Sequence, residues 1–133
     1  MGMYTELIFK GETKADLPED IKVLIEYFFG NEIESIPDNF ELPKHEFFKC
    51  DRWRSVGKCS SYYHFPINIV DHIKDSFNNH YYVFSRSDFK NYDNEIALFL
   101  DWIKPHMEEF NGWHWYEEDR VPTFFKFNGE LLK

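Results

Sequence analysis

The apolar positions Leu17, Ile21, Leu24, Ile25 and Phe28 recur at three- and four-residue intervals, and Gly30 ends the run. A stripe of this kind lies along one face of a helix and needs another element to cover it. Asp16 stands three residues before Glu19 with Pro18 in the first turn, a capping-box arrangement, so the helix is predicted over 17–29. The preceding segment, YTELIFK at 4–10, is rich in β-formers and bounded by Gly11, which predicts a strand. The helix therefore has a sheet to lie on.

Further along, the segment NEIESIPDNFELP at 31–43 is polar and holds two prolines, and it reads as a surface connection pinned by Ile33, Ile36 and Phe40. His45 to Cys50 and Ser60 to Phe65 are predicted strands, with a loop around Gly57 between them. Residues 67–77, INIVDHIKDSF, fit both alternation and a helical face. The Asn78-Asn79 pair and the β-rich HYYVFSRS after it favour a hairpin, because Asn tolerates the positive φ of tight turns, and the segment is read as a strand. Asn91 or Asp93 can cap a second helix with the stripe Ile96, Phe99, Leu100 and Ile103, ended by Pro105. GWHWYEE and PTFFKFN then form two strands. The order βα, several β, α, ββ in 133 residues predicts one α+β domain over 1–133. Its sheet is expected to be antiparallel or mixed, with two α-helices packed on one face.

Aromatic side chains make up 20% of the chain, more than a core of this size usually takes up, so some rings belong at the surface and favour a ligand or partner face. The formal charge of -9, from 24 acidic and 15 basic side chains, disfavours nucleic-acid polymers and anionic membranes as partners. No apolar run approaches the ~20 residues of a membrane span, and the acidic N-terminal region does not read as a secretory signal. A soluble, cytoplasmic protein with reduced thiols at its two cysteines is the expectation.

The densest chemistry lies in KCDRWRSVGKCSSYY, Lys49 to Tyr63. It sits within the frame His45, Cys50, Cys59 and His64, residue types that zinc prefers. The frame has no close Cys-x2-4-Cys knuckle, and strand parity sets His45 and Cys50 on opposite faces. No metal site or cofactor is assigned. Cys59 as a nucleophile lacks an anion-cradling loop, and Ser60-Ser61 lacks a Gly-x-Ser-x-Gly elbow, so no catalytic residue is assigned either. Arg52, Trp53, Arg54, Tyr62, Tyr63 and Arg86 combine stacking surfaces with cations, which suits a nucleotide-like small molecule. The competing reading has Trp53 closing the core while Arg52 and Arg54 pair with the abundant carboxylates. Glu108, Glu109, Glu117, Glu118 and Asp119 form an acidic set suited to steering a basic protein partner.

Together FFKCDRW, CSSYY, SRSDFKNYDNEI, FLDWIKP and YEEDRVPT, spread from Phe47 to about Thr123, resemble a group of small bacteriophage- and prophage-encoded proteins. The resemblance implies a setting rather than a mechanism: a bacterial cytoplasm and an accessory gene product, not a virion part. Three readings follow, in descending order. The first is an accessory protein that binds a host or defence protein through acidic and aromatic surfaces. The second is a module that binds or sequesters a nucleotide-like molecule, and the third a Cys/His-based hydrolase or metalloprotein.

Overall fold

The computed structural model describes residues 4–30, 40–50, 53–55, 67–74, 79–89 and 94–128 of the chain. Its central element is β1 (Thr5–Thr13), where Thr5, Leu7, Phe9, Gly11 and Thr13 are buried and the residues between them are not. Side chains alternate across a strand, so this pattern assigns one face of β1 to the core. Gly11, the expected end of the strand, lies inside it, opposite Val83 on one side and Phe110 on the other.

Around β1 are assembled β2 (Ile67–Lys74), β3 (Asn79–Phe89), β4 (Met107–Tyr116) and β5 (Thr123–Phe127). They form one sheet in the order β2-β3-β1-β4-β5, and every neighbouring pair is antiparallel. The ambiguous segment after Ile67 is thus a strand as far as Lys74, paired with β3. The expected strand over Ser60 to Phe65 lies outside the described residues.

Two helices, α1 (Glu19–Phe29) and α2 (Glu95–Ile103), pack on the Leu7/Phe9 face of the sheet. Phe9 is the point where they meet, with ring centroids 5.5 Å from both Phe29 of α1 and Phe99 of α2. Phe110 of β4 lies 5.0 Å from the same ring. The antiparallel α+β domain with both helices on one face is therefore present as the sequence predicts. In α1 the stripe Ile21, Leu24, Ile25 and Phe28 is buried and Gly30 follows the last turn, its N–H donating to the Glu26 carbonyl. The start differs from a capping box: the cap is Pro18, no side chain accepts a hydrogen bond there, and Asp16 instead takes a positive φ of 55°. The Pro18 carbonyl itself accepts from Ile21 and Lys22.

At α2 the predicted caps Asn91 and Asp93 lie outside the described residues, and the helix is preceded by Asn94 at φ 62°. Ile96, Phe99 and Ile103 of the expected stripe are buried, joined by Trp102 and Glu95, while Leu100 is half-buried. After Ile103 the chain tightens into a 3-10 turn, Lys104–His106, around Pro105 and enters β4 directly.

The predicted strand from His45 to Cys50 is a 3-10 turn over Glu46–Lys49. A strand would send Phe47 and Phe48 to opposite sides, whereas the turn buries both in one core. His45 fixes the turn: its Nδ1 accepts from the Phe47 N–H at 3.0 Å, and its Nε2 lies 2.9 Å from Asp101 Oδ2 on α2. A hydrogen bond accepted at Nδ1 places the ring proton on Nε2, so the N–H that faces Asp101 donates to it. Among the described residues no helix is long and apolar enough to cross a membrane.

Candidate binding face of the sheet

Of the six residues expected to form a ligand pocket, three are described, and Trp53 and Arg86 among them lie on opposite sides of the sheet. Trp53 is 6% exposed and packs on the helix side of the sheet, its ring centroid 5.1 Å from Phe48 and 6.2 Å from Phe28. Arg54 lies over that indole with its guanidinium carbon 4.7 Å from the ring centroid. Arg86 is opposite Ile8 in the register, hence on the other face of the same sheet. A shared pocket of Trp53 and Arg86 would have to pass through the sheet. The competing reading of Trp53, as a core-closing ring, describes its place. Arg52, Tyr62, Tyr63, Cys59 and His64 lie outside the described residues. Cys50 is half-buried, and among the described residues no group of three or more His, Cys, Asp or Glu is placed to hold a metal ion.

The acidic set is likewise divided. Glu108 and Glu109 are near the start of β4, whereas Glu117, Glu118 and Asp119 follow its end, all exposed. A strand of that length spans roughly 30 Å. Glu117 also closes the end of the sheet: its N–H donates to the Tyr4 carbonyl at 3.1 Å and its Oε1 accepts from the Tyr4 N–H at 2.9 Å. Asp119 accepts the Trp115 indole N–H on its carbonyl at 2.9 Å.

What the structure brings together is the sheet face that no helix covers among the described residues. Six large apolar side chains are exposed among the described residues, and five of them, Ile67, Ile69, Tyr82, Trp115 and Phe124, stand on this face; the sixth is Val121 in a loop. The ladder registers arrange the face in transverse rows. One row reads Ile67, Arg86, Ile8, Trp113, Phe124, and the next Ile69, Phe84, Lys10, Asn111, Lys126. Acidic residues flank these two rows: Asp88 and Glu6, beside Trp115, on one side, and Glu12 and Glu109, beside Tyr82, on the other.

Arg86 is fixed in the apolar row by two carboxylates. One guanidinium nitrogen donates to Glu6 and another to Asp88 Oδ2 at 3.2 Å, and the arginine side chain is 15% exposed. Glu6 also accepts the Trp113 indole N–H at 2.8 Å on its other oxygen. A planar guanidinium held from two sides is set in one orientation, and so is the indole tied to the same carboxylate. Trp113 in turn meets Phe124 edge to face at 5.7 Å. Farther along, His80 Nε2 lies 3.0 Å from Glu12 Oε1, and the Glu12 charge is the main cause that raises the Tyr82 hydroxyl pKa.

Gly112 adjusts the same strands from the covered side. A Cβ at this position would run into the Ile8 carbonyl oxygen, so β1 and β4 approach here only because the residue is glycine.

Sequence reasoning found Arg86 and, on the flank, Glu109, and missed the rest of this face. Its signals are the unbroken apolar run Leu7-Ile8-Phe9, which supplies both faces, and the doubled Trp113 and Trp115 two residues apart. No family model matches the chain, and no curated protein or solved structure matches it.

Proposed function

We propose that the protein acts by binding another protein on its open sheet face. The setting implied by the resemblance makes that partner a host or defence protein of a bacterial cytoplasm. One observation carries the reading: among the described residues, five of the six exposed large apolar side chains stand on one face, interleaved with a fixed arginine. Interfaces concentrate aromatic residues and arginine, and rings tied in place lose little entropy on binding. Five strands give a face roughly 20 Å wide and 20–25 Å long. Side-chain relief and rim raise that plan area toward the ~800 Å² each partner contributes to a standard complex. Glu12 and Glu109 on one flank and Glu6 and Asp88 on the other make the rim acidic, which suits basic residues around the partner's apolar centre.

The test compares capture from a bacterial lysate by the wild type, by the Ile67→Glu/Ile69→Glu variant and by Val121→Glu. A protein retained by the wild type and by Val121→Glu, and lost with the β2 pair, supports the face. Equal retention by all three, or none by the wild type, sinks it.

A further inference from the structure

The face is not uniform, and its β5 end has a chemistry of its own. Ile8, Lys10, Asn111, Trp113, Phe124 and Lys126 line an open trough of about 430 Å³. Trp113 and Phe124 form an apolar wall, and the two lysines stand in the adjacent row with Asn111 between them. Both lysines are exposed, and neither has a carboxylate within ion-pair distance among the described residues, although the chain carries 24 acidic side chains. The nearby Glu12 faces His80 instead. The trough thus sets two lysines, neither in an ion pair among the described residues, beside aromatic rings on an acidic protein.

We infer that this trough receives an extended acidic segment of the partner, its carboxylates on Lys10 and Lys126 and a neighbouring apolar side chain against Trp113 and Phe124. The inference rests on the docking face proposed above and names the partner chemistry at one end of it. Lys10 and Lys126 are rooted two strand spacings apart, roughly 10 Å. Carboxylates two or four residues apart on an extended segment are separated by about 7 or 13 Å, both within reach of long lysine stems. A single phosphate fits less well, because the trough offers separated point charges and no guanidinium fork.

The experiment titrates isotope-labelled full chain with two synthetic peptides, acetyl-Asp-Phe-Glu-Leu-Asp-Phe-amide and its counterpart with Lys at each acidic position. The acidic peptide is expected to shift the backbone signals of Lys10, Asn111 and Lys126 and the indole signal of Trp113. Its lysine counterpart should leave them in place. Lys10→Glu/Lys126→Glu, both at exposed positions, should weaken the acidic peptide at least tenfold and admit the lysine peptide. Phe124→Ala should weaken binding without changing the charge preference. Equal binding of both peptides, or shifts confined to other parts of the molecule, overturns the inference and leaves the two lysines as solubilising charges on the face. Because the capture experiment alters β2 and the Val121 loop but none of the trough residues, the docking face can survive while the acidic segment fails, or the reverse.

Discussion

Leu7, Ile8 and Phe9 are consecutive and equally apolar in kind, yet Leu7 and Phe9 are sealed under two helices while Ile8 lies on the face that no described helix covers. The two sides of the sheet differ less in how many rings they carry than in what holds the rings. On the covered side Phe9, Phe28, Phe29, Phe99 and Phe110 hold one another through ring contacts of 5.0 to 6.4 Å. On the open side a polar tie does that work: Glu6 holds both the Arg86 guanidinium and the Trp113 indole. Close packing makes one face a core, whereas directional hydrogen bonds keep rings in place at the other without burying them.

The largest way to break this contrast is truncation on each side. Phe9→Ala leaves a cavity where α1, α2, β1 and β4 converge and is expected to cost about 3–5 kcal/mol in urea unfolding, a large part of a typical domain's stability. Phe124→Ala, at a side chain 70% exposed, should stay within about 0.5 kcal/mol of the wild type. Equal losses at the two positions would mean that the open face is packed in solution against something, and the distinction between the faces would collapse.

A smaller effect sharpens the account of the open face. Glu6→Ala removes the acceptor of the Trp113 indole and one of the two carboxylates on a largely desolvated guanidinium, with an expected loss of about 1–3 kcal/mol. The indole N–H signal of Trp113 should move toward that of an exposed tryptophan. Glu6→Gln, which keeps a carbonyl acceptor but not the charge, should fall between. If Glu6→Ala leaves both stability and the indole signal unchanged, the rings are not held by this tie.

How much of this was legible depended on whether the deciding interaction is local. The α1 stripe, the strand before it and the helix ended near Pro105 follow from spacing alone, and so does an α+β domain, because helices and strands in that order can bury their apolar sides in few ways. The turn at Glu46–Lys49 was misread because Phe-Phe between polar residues looks like a strand, and only the shared core below requires both rings on one side. Trp53 was weighed as a stacking platform beside two arginines, but its burial is decided by Tyr27 and Phe28, more than twenty residues away. The open face itself was illegible, since Ile67, Arg86, Ile8, Trp113 and Phe124 become neighbours only through four strand registers that no single segment encodes.

The smallest expected effect belongs to the covered side and is its response to acid. On the covered side His114 stacks on Phe125 with ring centroids 6.4 Å apart, and burial lowers its pKa against a smaller opposing pull from Asp119. His106, beside Trp102 at 5.6 Å, is lowered chiefly by burial as well, with Asp20 opposing. A histidine whose folded pKa is depressed adds stability that is fully present above the unfolded value near 6.5, and that stability is lost as pH falls through the folded pKa, because the unfolded chain takes up the proton first. The urea midpoint should therefore decline between pH 7.5 and 5.5, modestly, since both rings keep part of their hydration. His114→Phe, which preserves an aromatic contact with Phe125 and cannot protonate, should flatten part of that decline, and His106→Phe a further part. If neither His114→Phe nor His106→Phe flattens the decline, burial of these two rings is not its source.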